Sequence, residues 1–172
     1  MVEKFFPDEI VDKVQDIDLG KLWNKGIKGL LLDIDNTLVP SYMKEADNSA
    51  IKWIKEAKNR GFKLCIVSNA AKRRVEKFNE RIKLNAIYRA LKPMSGSFRR
   101  AVALMGLKPG ETATIGDQVF TDIYGGKRLG IYTILVKPLH KKESLFVRLK
   151  RYPERYILKK YYEAIKKGKS NR

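Results

Sequence analysis

Two aspartates two positions apart, Asp33 and Asp35, end the apolar run Leu30-Leu31-Leu32 of this 172-residue chain. Side chains two apart on an extended chain project to the same face, so the spacing aims both carboxylates into one pocket. Two other apolar runs also finish in polar residues: Cys65-Ile66-Val67 leads into Ser68-Asn69, and Ala113-Thr114-Ile115 leads into Gly116-Asp117. Carboxylates gathered in one place repel unless a cation lies among them. An all-oxygen donor set suits a hard ion, and Mg2+ typically takes a few carboxylates, keeps several waters and accepts a substrate phosphate.

For these residues to meet, the runs that carry them must lie side by side. Short apolar runs alternate with helical patterns. Strands are predicted over Ile27–Ile34, Phe62–Val67, Ala86–Tyr88, Thr112–Ile115 and Ile131–Val136; helices over Glu45–Arg60, Ala71–Arg81, Pro93–Met105 and Thr121–Leu129. Strands separated by helices imply βαβ units, and hence an α/β fold with a central parallel sheet of about five strands covered on both faces. In such a sheet the carboxyl ends of all strands share one edge, where ligands bind. That edge would collect Asp33, Asp35, Ser68 and Asp117. Residues 1–26 read as a helical and loop lead-in, 27–140 as the catalytic domain and 141–172 as a basic helical extension.

Taken singly, these residues say little. Ser68-Asn69 is an ordinary strand-ending turn, Lys92-Pro93 a helix start, and Asp122 an acid near a helix N-terminus. Together they resemble the haloacid dehalogenase phosphatases: Asp33-Ile34-Asp35-Asn36-Thr37-Leu38-Val39 is similar to that family's first motif. Ser68-Asn69 is similar to the second, Lys92-Pro93 to the third, and Gly116-Asp117-Gln118-Val119-Phe120-Thr121-Asp122 to the fourth, all in the family's order.

The resemblance implies a Rossmann-like fold, Mg2+ as cofactor and a covalent aspartyl-phosphate. It makes Asp33 the nucleophile and Asp35 the general acid and base. Asn36, Thr37, Ser68, Asn69 and Lys92 would serve the phosphate. Asp33, Asp117 and the Asp35 carbonyl would hold the metal, with Asp122 in support. Many members insert a lid after the first or second motif, but here 29 residues separate Leu38 from Ser68, and Lys92 follows Asn69 by 23 positions. Those stretches are filled by one helix and one strand each, which leaves no cap domain.

Within the superfamily the motifs resemble the lidless YqeG-type subgroup of subclass IIIA, itself similar to enzymes that dephosphorylate phosphatidylglycerophosphate. That lipid is the leading substrate this resemblance implies. A small-molecule or nucleotide phosphatase closed by oligomerisation, and a nucleic-acid or ribosome-associated binding protein, are the alternatives.

Composition bears on that choice. The formal charge is +18, from 37 Lys and Arg against 19 Asp and Glu, which favours polyanionic partners: a phosphorylated substrate, an anionic membrane surface or nucleic acid. Half of the excess, +9, lies in residues 141–172, which hold 12 Lys and Arg against 3 Glu. There Ile157, Leu158, Tyr161, Tyr162 and Ile165 fall at helical spacing opposite Lys159, Lys160, Lys166 and Lys167. Such a helix can lie on an anionic bilayer, pack on its own domain, or meet phosphates and bases. The single cysteine, Cys65, reads as a packed strand residue. An N-terminus without a signal-peptide pattern and the lack of a spanning apolar run predict a cytoplasmic protein, able to lie at the inner membrane surface.

Overall fold

The computed structural model describes residues 2–140 and 145–170. Its centre is a parallel sheet of six strands, β1 (Glu9–Val11), β2 (Gly29–Leu32), β3 (Lys63–Val67), β4 (Asn85–Ile87), β5 (Thr112–Gly116) and β6 (Tyr132–Val136), in the order β1-β6-β5-β2-β3-β4. The expected five strands are all present; the sixth, β1, comes from the lead-in. Glu9 pairs with Ile134 and Val11 with Val136, so residues 1–26 extend the sheet instead of merely preceding it. Three residues of mixed polarity are too few to register as a strand without their partner.

Helices cover both faces. α2 (Asn48–Asn59) and α3 (Lys72–Asn79) lie on one, and α4 (Ser95–Leu104) and α5 (Tyr124–Lys127) on the other; α1 (Leu19–Asn24) precedes β2 and α6 (Leu145–Ser170) ends the described chain. The central strand β2 is buried along its whole length, as a strand covered on both sides must be. Its side chains alternate between two cores. Leu30 and Leu32 pack with Trp53, Ile54 and Phe78, while Leu31 packs with Cys65, Phe98 and Val102. Cys65 is thus a core residue, and burial pushes its thiol up to about 11.

Three helices are shorter than expected: α2 spans Asn48–Asn59, α3 Lys72–Asn79 and α4 Ser95–Leu104, Pro93 lying in a turn ahead of the last. The helix expected over Thr121–Leu129 is instead a π-helical turn at Val119–Ile123 followed by the short α5.

A third apolar cluster joins Val119, Ile123 and Leu135 to Ile157 of α6, with Phe5, Phe6 and Ile10 of the lead-in against it. Phe6 also meets Tyr161 edge to face at 5.5 Å. The two chain ends therefore pack together over the β6 side of the sheet. α6 continues through Pro153, which takes one backbone donor from the helix. No helix among the described residues is long and apolar enough to cross a membrane.

Candidate active site

The carboxyl ends of β2, β3 and β5 deliver three of the motif segments, and the loop after β4 delivers Lys92. Asp33 follows β2, its N–H donating to the Ile115 carbonyl at 3.0 Å. Its Oδ1 accepts from Lys92 Nζ at 2.7 Å and its Oδ2 from the Thr37 hydroxyl at 3.3 Å. Lys92 Nζ also donates to Asp122 Oδ1 at 2.6 Å. This ammonium is a bridge between two buried carboxylates, and only 3% of its side chain is exposed.

A third carboxylate, Asp117, stands at the end of β5, where Oδ1 lies 3.5 Å from the Thr37 hydroxyl. Oxygens of Asp33, Asp117 and Asp122 all lie within 4.8 Å of one another. Burial is the largest influence on Asp33 and raises its pKa to about 6; Lys92 opposes the rise, and Asp122 and Asp35 add to it. Burial likewise raises Asp117 well above its ordinary value, with Asp33 adding and Arg151 opposing. On Lys92 burial acts downward, but the Asp122 and Asp33 charges outweigh it and the net shift is upward. Lys92 is therefore a fixed cation.

The donor set fits a divalent ion: three buried carboxylates of all-oxygen chemistry face one ammonium and one guanidinium. Asp122 is the least available of the three. Its Oδ1 is held by Lys92, and its Oδ2 accepts from the Gln118 N–H and the Thr121 hydroxyl, each at 3.3 Å. A Cβ on Gly116 would overlap the Asp122 carboxyl, so the glycine of the fourth motif makes room for that side chain.

The remaining sequence-predicted residues divide. Ser68 is buried at the end of β3, its Oγ accepting from the Ala70 N–H at 3.1 Å. Asn69 is exposed and clamps the Lys92 backbone, accepting from its N–H at 2.7 Å and donating to its carbonyl at 3.3 Å. Asn36 adopts a φ of 61°, a left-handed conformation that Asn tolerates. Its N–H donates to the Val39 carbonyl and its Oδ1 accepts from the Ser41 N–H. Asn36 and Asn69 thus shape the loops, while Thr37 turns its hydroxyl toward the carboxylates.

Asp35, whose charge adds to the rise at Asp33, stands outside the cluster of three buried carboxylates. It is half-exposed, and Arg74 of α3 donates to its Oδ1 from both Nε, at 3.2 Å, and Nη2, at 2.8 Å. The chain leaves β2 at Leu32, forms a bridge from Asp35 to Val39 and turns at Asn36.

Three contributors were not read from the sequence: Arg74, Arg151 and Glu154. Arg151 of α6 donates from Nη2 to Asp117 Oδ2 at 2.5 Å and from Nη1 to the Asp117 carbonyl at 2.7 Å. Glu154, only 3% exposed, accepts from Arg151 Nη1 at 2.9 Å and from the Val119 N–H at 2.8 Å. Glu154 carried one signal, an acid three positions after Arg151 within a strongly basic tail. The C-terminal helix thereby packs on its own domain and touches the carboxylate cluster.

Models of two families match the chain: haloacid dehalogenase-like hydrolase over residues 30–98 and HAD-hydrolase-like over residues 90–163. A Bacillus subtilis protein described as "Probable phosphatase YqeG" is 43% identical over 159 residues, covering 92% of each chain. The Arabidopsis thaliana phosphatidylglycerophosphate phosphatase 1 is 28% identical over 90% of this chain and 47% of that protein. In fold, the cobalt-bound deoxy-D-mannose-octulosonate 8-phosphate phosphatase of Haemophilus influenzae superposes with a TM-score of 0.52. It is 16% identical, over 82% of this chain and 91% of that one.

Proposed function

The chain belongs to the haloacid dehalogenase-like hydrolases and is a phosphatase; on that premise we propose that it hydrolyses a phosphomonoester through a phosphoenzyme on Asp33, with Mg2+ as cofactor. The observation that carries the reading is Lys92 Nζ, buried between Asp33 and Asp122 beside Asp117. That arrangement supplies a carboxylate nucleophile and a fixed positive charge where the transferred phosphoryl group must sit.

In the first step an Asp33 oxygen attacks phosphorus and the bond to the leaving oxygen breaks, that oxygen taking the Asp35 proton. In the second, Asp35 removes a proton from water, whose oxygen attacks phosphorus and releases phosphate and the Asp33 carboxylate. Both Arg74 donors converge on Asp35 Oδ1, which leaves Oδ2 to exchange the proton. Ser68 Oγ already accepts from Ala70, so its own proton can go to a phosphoryl oxygen. The Thr37 hydroxyl steadies the nucleophile, and Lys92 offsets the charge on both. Asp33, Asp117 and the Asp35 carbonyl would hold Mg2+, with Asp122 behind them, and the ion would withdraw charge from the phosphoryl oxygens.

Phosphatidylglycerophosphate is the proposed substrate, at the surface of an anionic membrane. The plant relative acts on that lipid by its name. The surface around the site supports the same reading. Tyr42, Tyr88, Leu91 and Met94, which follow β2 and β4 on the carboxyl edge, are 66%, 41%, 66% and 61% exposed. Apolar side chains on the rim of a lidless site suit a substrate presented in a bilayer.

Phosphate release from vesicles carrying the lipid, with Mg2+, is the test. The expected result is turnover by the wild type, none by Asp33→Asn, and poorer turnover of soluble sugar or nucleotide phosphates. Preference for the soluble esters would overturn the lipid assignment, and full activity of Asp33→Asn would overturn the mechanism.

A further inference from the structure

A cavity of about 590 Å³ runs between α6 and the β1–β6 side of the sheet, beginning at Asp117 and Arg151. Its walls include Ile10, Val119, Leu135 and Leu158, and its lining includes Lys137 and Arg155. Val119 and Leu135 are almost wholly buried, whereas Lys137 and Arg155 are exposed, the first pairing with Asp12 and the second lying against the Tyr152 ring. Apolar walls that lead away from the carboxylate cluster suit a hydrocarbon chain whose anionic end lies at that cluster.

Asp117 belongs to both places. It lines the cavity, and its carboxyl lies within 4.8 Å of that of Asp33. A phosphomonoester seated at Asp33 would therefore have the end of the cavity within reach of the carbon chain it carries. We propose that this groove holds the hydrocarbon portion of an amphiphilic phosphomonoester, α6 forming the wall that a lid would otherwise supply. The proposal rests on the phosphomonoesterase reading of Asp33 and does not require that the tail belong to a diacyl lipid.

The test is inhibition of p-nitrophenyl phosphate hydrolysis by n-alkylphosphonates, whose carbon–phosphorus bond resists cleavage, from butyl to decyl and below their aggregation concentrations. Each buried methylene tightens binding by about three- to fourfold, so even partial burial makes decylphosphonate at least about 30-fold the stronger inhibitor. In Leu158→Glu, and in Tyr162→Glu at the more exposed end of the groove, the decyl-to-butyl ratio falls below about threefold. Reading a ratio within each protein separates loss of the groove from general loss of activity.

No chain-length dependence in the wild type, or a dependence that both variants retain, would overturn the proposal. Two other results bear on the preceding reading alone. Chain-length dependence without turnover of phosphatidylglycerophosphate vesicles upholds the groove and removes the lipid assignment. Hydrolysis of p-nitrophenyl phosphate by Asp33→Asn removes the mechanism, and the inhibition ratios still report on the groove.

Discussion

Asp33 is held where neither of its ionisation states is fully comfortable. Burial favours the protonated form, Lys92 favours the carboxylate, and the balance leaves the pKa at about 6 against an ordinary 3.8. The folded state then binds the proton more tightly than the unfolded chain. Stability of the metal-free protein must fall as pH rises from about 4 to about 6, and it stays lower above that range. Asp33→Asn removes this titration while Asp122 still neutralises Lys92. In the presence of EDTA the variant should be more stable than the wild type at pH 7.5, by up to about 3 kcal/mol for a shift of this size. The advantage should vanish near pH 4. Denaturant unfolding at pH 4, 5.5 and 7.5 measures it, and a less stable variant at pH 7.5 would contradict this account of the cluster.

Among the elements, the strand ends behave as a parallel sheet dictates, whereas α6 takes on a role its composition hides. Its apolar positions divide between two surroundings. Ile157 is 4% exposed among Val119, Ile123 and Leu135, while Tyr162 and Ile165 remain 48% and 38% exposed. Docking at Ile157 brings Arg151 onto Asp117 and Glu154 onto the Val119 N–H. Truncating that anchor should therefore act at a distance. Ile157→Ala is expected to lower unfolding free energy by about 2–4 kcal/mol and to weaken Mg2+ binding, read by calorimetric titration. A loss below about 1 kcal/mol with unchanged Mg2+ affinity would show that α6 is not coupled to the site.

At the scale of the whole molecule, a net charge of +18 and an apolar rim around a lidless site act together. If the proposed lipid substrate holds, long-range attraction would concentrate the protein at an anionic surface, and the rim side chains would make the contact. Co-sedimentation with vesicles containing anionic lipid should be strong at 50 mM salt and much weaker at 500 mM, where the Debye length is only a few ångströms. Neutral vesicles should retain little protein at either salt. Equal binding to both vesicle types would remove the electrostatic part of this picture. Family membership bears on the larger alternatives: the chain is a phosphatase of the haloacid dehalogenase-like hydrolases.

By itself the sequence determined the parallel α/β sheet and the placing of Asp33, Ser68 and Asp117 at strand ends along one edge. Apolar runs at strand length, each ending in a polar residue, encode both locally. It left undecided the sixth strand, because Glu9–Val11 is a strand only through its pairing with β6. The partners of the carboxylates were also beyond it. Arg74 reaches Asp35 across 39 positions and Arg151 reaches Asp117 across 34, and no local pattern records a contact between distant segments. The tertiary structure alone decided which of the acids gather with Asp33, and that a tail of nearly uniform positive charge closes one side of the site. Burial and pairing of a charge depend on what the folded chain places around it, and that is not written in the residue's immediate neighbours.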